Sequence, residues 1–145
     1  MSYDYEYKTM PVVENETEAQ RHSRGAYWVV GKRVNDNKDF FDRVWKLQPL
    51  VMAIFGEKME EVFGKLHEAR AFVQVASNTL AWDEPPGNTA DNRTLKRQLR
   101  TDLWGGGSTD VDRVQACLDE FKGGIERVCK PVVDREFSDG YIGAP

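Results

Sequence analysis

One run of apolar residues constrains this chain more than any other feature in it. Phe55, Met59, Val62, Leu66, Ala69, Val73, Ala76 and Leu80 follow one another at steps of 4, 3, 4, 3, 4, 3 and 4. Residues three and four apart share one side of a 3.6-residue turn, so this spacing predicts a long amphipathic helix and excludes a strand of period 2. Just before it, Phe40, Val44, Leu47 and Val51 repeat the pattern, and the two stretches meet at "IFGE". Gly56 lies at the join. Glu57, Glu60 and Glu61 after it suit the first turn of a new helix, so a break or kink at Gly56 is expected. Pro49 falls inside the preceding helix, where it would bend it.

A second sustained stripe comes late. Val111, Val114, Leu118, Phe121, Ile125, Val128 and Val132 step by threes and fours, up to Pro131, which is expected to end or kink the helix. Burying each of these side chains contributes roughly 1.5–3 kcal/mol before entropy costs. Between the stripes, "WDEPPGNTADN" (82–92) carries turn chemistry, and "NRTLKRQLRTDLW" forms a short helix on Leu95, Leu99 and Leu103. An earlier helix is expected from residue 14, with Asn15 as its cap and Glu16 and Glu18 in its first turn. Gly25 and Gly31 weaken it by about 1 kcal/mol each relative to alanine. The chain therefore reads as all-α, an antiparallel bundle of four to five helices. The helical domain spans 14–137. Residues 1–13, with the alternating "YDYEYK", have no second strand to pair with. They are expected to form a flexible arm that docks on a neighbour, and residues 138–145 a flexible tail.

Composition limits the functional classes. At 145 residues, with 40% hydrophobic and 30% charged side chains, the chain is large enough for a core without staples. Its net charge of −4 gives no general attraction to nucleic acid or anionic membranes, so such contact needs a local patch. Cys117 and Cys129 fall in one predicted helix, roughly 18 Å apart, beyond the ~7 Å reach of a disulfide. They are expected as reduced thiols. No apolar run approaches the ~20 residues of a membrane helix, and no signal-peptide pattern is seen. A cytoplasmic protein without a membrane span is expected.

The stretch "WGGGSTD" (104–110) invites a phosphate-loop reading, but the Walker lysine and the Rossmann glycine spacing are both missing. Gly105 is expected to stop one helix, and Ser108 or Thr109 to cap the next, with Thr109 and Asp112 in a capping-box relation. Glu57-x-x-Glu60 resembles half of a metal-dependent phosphohydrolase site, with Glu61 beside it. Asp39-x-x-Asp42 is the only substitute for the second half. In a hairpin the two pairs sit roughly 20 Å apart, too far for one magnesium ion with oxygens at about 2.1 Å. His22 and His67 match neither H-E-x-x-H nor E-x-x-H. A Cys117 or Cys129 pairing with His67 depends on the fold. No cofactor, metal site or catalytic residue is expected.

Two features point to binding. Arg93, Lys96, Arg97 and Arg100 share one side of the short helix, a face suited to phosphates or an acidic protein. Trp82 and Trp104 flank loops and are candidate partner anchors, since tryptophan is enriched at interface hot spots. The run "VWKLQPLVMAIFGEKMEEVFGKLHEARAFVQVASNTL", with "VDRVQACLDEFKGGIERVCKPV", resembles uncharacterised small helical bacterial proteins. Those share a "L.PL…LFG" segment ahead of a long helix and a last helix ending near "CKP". Many of them carry an N-terminal membrane helix, which this sequence lacks. The resemblance implies a helical fold and no known activity. The leading expectation is a non-enzymatic module that binds a protein or itself as a homodimer. The alternatives are nucleic-acid or phosphate-ligand binding through residues 93–100, and a phosphohydrolase using Glu57, Glu60 and Glu61.

Overall fold

A computed structural model describes residues 6–82, 89–106 and 111–142, with 136–142 as backbone only. Among these residues there are five α-helices and no strand: α1 (Glu18–Asp36), α2 (Lys38–Phe55), α3 (Met59–Trp82), α4 (Ala90–Trp104) and α5 (Arg113–Ile142). A short 3-10 turn, Glu6–Thr9, precedes them. The all-α bundle expected from the stripes is the architecture observed.

The axis is α3, and every other α-helix packs on it. Met59, Leu66, Ala69, Ala76 and Leu80 of the predicted stripe are buried, joined by Phe63, Ser77 and Ala81. The buried face is wider than one stripe because helices approach α3 from several directions. The break falls at Gly56, whose φ of 99° suits glycine, and its N–H closes α2 on the Met52 carbonyl at 2.8 Å. Glu60 and Glu61 enter the first turn of α3, and Glu57 stays in the turn before it.

Both α1 and α2 run antiparallel to α3, one after the other, separated only by Asn37. Asn35 accepts from Gln74 at 3.1 Å, Arg70 stacks over Phe41 at 4.3 Å, and Trp45 lies on His67. On the far side, α5 runs antiparallel to α3 as well. Arg113 covers Phe72, Lys65 pairs with Glu120 at 3.4 Å, and Phe63 meets Phe121 edge-on. Gly124 admits Val62 so closely that an added Cβ would lie 2.6 Å from its methyl group.

The end of α1 near the chain start differs from expectation. Its cap is Thr17, which forms a capping box with Gln20, and not Asn15, whose φ of 62° turns the chain just outside the helix. Glu16 also lies outside the helix and accepts two hydrogen bonds from Arg24, at 2.6 and 2.9 Å. The arm is also not free over its described part. Met10 is buried, Tyr7 fills the space over Gly25, and Glu6 pairs with Arg33 at 2.6 Å. Gly25 has a packing role here, since a Cβ would lie 2.7 Å from that of Tyr7. The arm thus docks on its own α1.

Gly31 has a second such role. Its N–H donates to Ser77 Oγ at 3.1 Å, and the Ser77 hydroxyl donates to the Tyr27 carbonyl at 2.8 Å. In an unbroken helix Gly31 would donate to Tyr27 directly. The hydroxyl of α3 therefore bridges a donor and an acceptor of the α1 backbone, in a fully buried setting beside Tyr27, Ala76, Leu80, Ala81 and Leu99.

The last two helices have clear boundaries. Thr89 caps α4 by accepting from the Asn92 N–H at 3.3 Å, and Gly105, at φ 84°, ends it as expected. The caps expected at Ser108 or Thr109 lie outside the described residues. Asp112, expected inside the helix, is itself the cap of α5 and accepts from the Gln115 N–H at 2.9 Å. Pro131 does not end α5, which continues to Ile142 and past the tail boundary expected at 138. Proline removes only one backbone donor, and Arg127, whose carbonyl loses that donor, is exposed to water.

Candidate functional site

The basic residues of α4 lie along one side of the helix. Leu99, Thr101 and Asp102 turn inward, which leaves Arg93, Lys96, Arg97 and Arg100 along one shallow depression of about 630 Å³. Asp102 is buried against Arg113, whose guanidinium donates to both carboxylate oxygens at 2.9 and 2.6 Å. That contact raises the Arg113 pKa above its ordinary value. Arg100 is tethered, because its Nε donates to the Tyr27 hydroxyl at 3.1 Å.

Trp82 and Trp104 come to the same corner. Trp104 stacks on Tyr27 with ring centres 5.0 Å apart, and the Arg24 guanidinium lies 4.4 Å from the centre of the Trp82 ring. Arg24, Tyr27, Trp82 and Arg100 all line one cavity of about 420 Å³. The two tryptophans keep part of their surface exposed, yet each has a partner within the chain. They close the α1–α3–α4 junction.

The sequence reading missed a larger apolar surface. On α2, Phe40, Leu47, Leu50 and Ile54 are 48, 52, 57 and 65% exposed, and no residue of this helix is buried. The four lie within a narrow arc of the helix, since 40, 47 and 54 are seven apart and 50 falls between the last two. The adjoining side of α2 meets α3: Phe41, Val44, Gln48, Val51 and Phe55 are all half-buried, with Arg70 over Phe41 and His67 beside Gln48. Apolar side chains thus cover two sides of α2, and α3 covers one. The signal in the sequence was the pair Leu50 and Ile54, which fit neither stripe.

Polar groups crowd the α2–α3 seam. His67 lies with its ring 3.5 Å from that of Trp45 and its Nε2 3.3 Å from Gln48 Oε1. Burial, with help from the Arg70 charge, lowers the His67 pKa below 6.5. His67 Nδ1 and Arg70 Nε are buried without a hydrogen-bond partner among the described residues. These groups make the seam a costly one to bury.

His67 turns toward α2. Cys117 is buried on α5, where burial and then Glu68 push its thiol pKa up, the reverse of an activated nucleophile. Among the described residues no three His, Cys, Asp or Glu side chains converge on a metal-sized site, so Glu57, Glu60 and Glu61 do not themselves form one. No described helix is long and apolar enough to cross a membrane. No protein-family model, curated protein or solved structure matches the chain.

Proposed function

We propose that this chain is a non-enzymatic helical module that binds protein through the outer face of α2. One observation carries the reading: Leu47, Leu50 and Ile54 follow one another on one side of α2, with Phe40 two turns earlier, each about half exposed or more, on a helix that buries none of its own residues. Scattered exposed leucines are ordinary on a protein surface, whereas a connected patch of this kind marks an interaction site. The free thiols of Cys117 and Cys129 on one helix suit a reducing compartment, and we take the module to be cytosolic. The test is a capture and sizing experiment on the chain and on a Leu47→Ser, Leu50→Ser, Ile54→Ser variant. The variant should keep its helical circular dichroism and lose every complex the parent forms. An unchanged set of complexes refutes the reading.

A second reading is supported by a different surface. Arg93, Lys96, Arg97 and Arg100 line one depression, which suits a phosphate-bearing ligand or nucleic acid. Replacing Arg93 and Arg97 by glutamate should abolish salt-sensitive binding of RNA or a nucleoside triphosphate. An affinity unchanged by that replacement, or by salt, discards this reading.

A further inference from the structure

The basic depression of α4 and the cavity at the α1–α3–α4 junction meet at one residue, since Arg100 lines both. On the second reading proposed for this chain, with α4 as a phosphate-binding face, the two walls together name the ligand. Their chemistry differs. Along α4, positive charge runs from Arg93 to Arg100, about 10 Å of helix. That length suits a chain of phosphates better than a single one. The cavity is mixed. Leu80, Ala81 and the Trp82 indole give it apolar surface, and Gln20, Ser23 and Tyr27 bring polar groups. Its volume of about 420 Å³ lies within the range of small-molecule pockets. A nucleoside needs this combination, with apolar surface for the face of its base and hydrogen-bonding groups for the base edge and the sugar hydroxyls.

Charge fixes which end of the ligand goes where. Two acids line the cavity, Glu14 and Glu16. Glu16 is engaged by Arg24, at 2.6 Å from Nε and 2.9 Å from Nη2. Glu14 is an exposed carboxylate, which repels a phosphate and accepts the N–H groups that a base carries on its edge. The phosphates therefore belong on α4 and the base in the cavity. Two guanidinium groups are set in place beforehand. Arg24, held by Glu16 and by the Pro11 carbonyl at 3.1 Å, lies over the Trp82 ring. Arg100 is held through its Nε on the Tyr27 hydroxyl, and its two Nη groups have no hydrogen-bond partner among the described residues. They form a fork for an anion where the two walls join. Groups ordered in advance cost less to fix on binding.

Charge also separates a free nucleotide from a nucleic-acid strand. The basic row ends within two turns of α4, and the chain as a whole carries −4. Further phosphates would meet a surface with no general attraction for them. We infer that the two depressions are one site for a free nucleoside triphosphate, with its phosphates along α4, its base in the cavity beside Trp82, and Arg100 at the joint.

Calorimetry and amide-shift mapping of the full chain test this, with the common ribonucleoside triphosphates and inorganic tripolyphosphate as probes. At least one nucleotide should bind about tenfold more tightly than tripolyphosphate, the gain expected from a base against an aromatic wall. Tripolyphosphate should shift amides of α4 alone, whereas that nucleotide should also shift Ser23, Tyr27 and Ala81. Trp82→Leu should lower the affinity of the nucleotide about tenfold and leave tripolyphosphate within about twofold. Arg93→Gln should weaken both ligands by the same factor. A trinucleotide that begins with the same base and a 5′-triphosphate should bind no more tightly than the free nucleotide. Should Trp82→Leu fail to fold by circular dichroism, the shift map of the parent chain decides. Equal affinities for tripolyphosphate and every nucleotide, with shifts confined to α4, overturn the place of the base and leave α4 as a phosphate-binding face. Tighter binding of the trinucleotide overturns the free nucleotide in favour of a strand. If no probe binds, the inference and the phosphate reading of α4 fall together.

Discussion

Two consecutive helices lie along the same side of α3, and they are held in different ways. The first, α1, is fitted into place. Gly25 and Gly31 remove two Cβ atoms where Tyr7 and Ser77 come in, Tyr27 is buried, and a hydroxyl of α3 is hydrogen-bonded to two groups of the α1 backbone. The second, α2, meets α3 through half-buried side chains and a polar seam, and its remaining apolar row faces solvent. The difference separates two uses of apolar residues. On α1 they close the fold; on α2 more of them are present than the fold covers. A helix half-buried on one side and apolar on the adjoining one keeps a surface open to a partner.

The widest contrast is expected between leucines. Leu80→Ala, in the core beneath α1, should destabilise by about 2–5 kcal/mol, read from the denaturant midpoint at constant slope. Leu50→Ala, measured on the monomer, should stay within about 0.5 kcal/mol. Equal losses at the two sites would erase the distinction between the helices.

Gly31→Ala probes the fitted contact alone. The new Cβ would lie 2.3 Å from Ser77 Oγ, an overpacking that costs about 1–3 kcal/mol. Ser77→Ala in the same chain should recover part of that loss, because the two residues are in contact and their effects do not add. Additive losses would separate the two residues.

Acid should act on the α2 side first. The folded His67 has its pKa lowered, by burial and then by Arg70, so the unfolded chain binds the proton more readily. The stability this supplies is present above about pH 6.5 and is lost as the pH falls through the depressed value. The groups facing it are Trp45 and Gln48 from α2 and Arg70 from α3. Asp42, on the same helix as Trp45, is held by Lys38, which lowers its pKa. Amide exchange in α2, corrected for its intrinsic pH dependence, should therefore accelerate below pH 6.5 while α1 is unaffected. His67→Gln should remove the step. An exchange rate that rises equally in both helices would refute this account.

The smallest effect has the opposite sign. Gly64 lies inside α3 with nothing within 4 Å of an added Cβ, so Gly64→Ala should stabilise by about 1 kcal/mol through helix propensity. The same replacement at Gly31 destabilises. A thermal melt of each variant compares a glycine kept for packing with one that is not.

Much of the fold was legible in the sequence. The α3 stripe and the break at Gly56 were readable because periodicity and a glycine stop are local signals. The end of α4 at Gly105 was readable for the same reason. The Ser77 contact was not, because a serine beside a stripe looks like a gap in it until Gly31 is brought against it from a distant segment. Likewise, Trp82 and Trp104 looked free because Arg24 and Tyr27, which engage them, lie on another helix. Among the candidate binding residues, the arginines of α4 were found because one helix face suffices to see them. The α2 row was overlooked for a physical reason: a helix apolar on two sides does not reveal which side its neighbour will cover.

The bridge from Tyr27 through Ser77 to Gly31 also fixes where things can be along the axis. Two smooth helices can slip by a turn and trade one set of van der Waals contacts for another. Here a slip would leave the Ser77 hydroxyl without its two partners in the dry interior and would set it against a residue with a Cβ in place of Gly31. The pair has a single axial setting, like a bolt through a drilled hole. Since only Asn37 separates α2 from α1, that setting also fixes the starting point of α2 and the height at which its open face is presented.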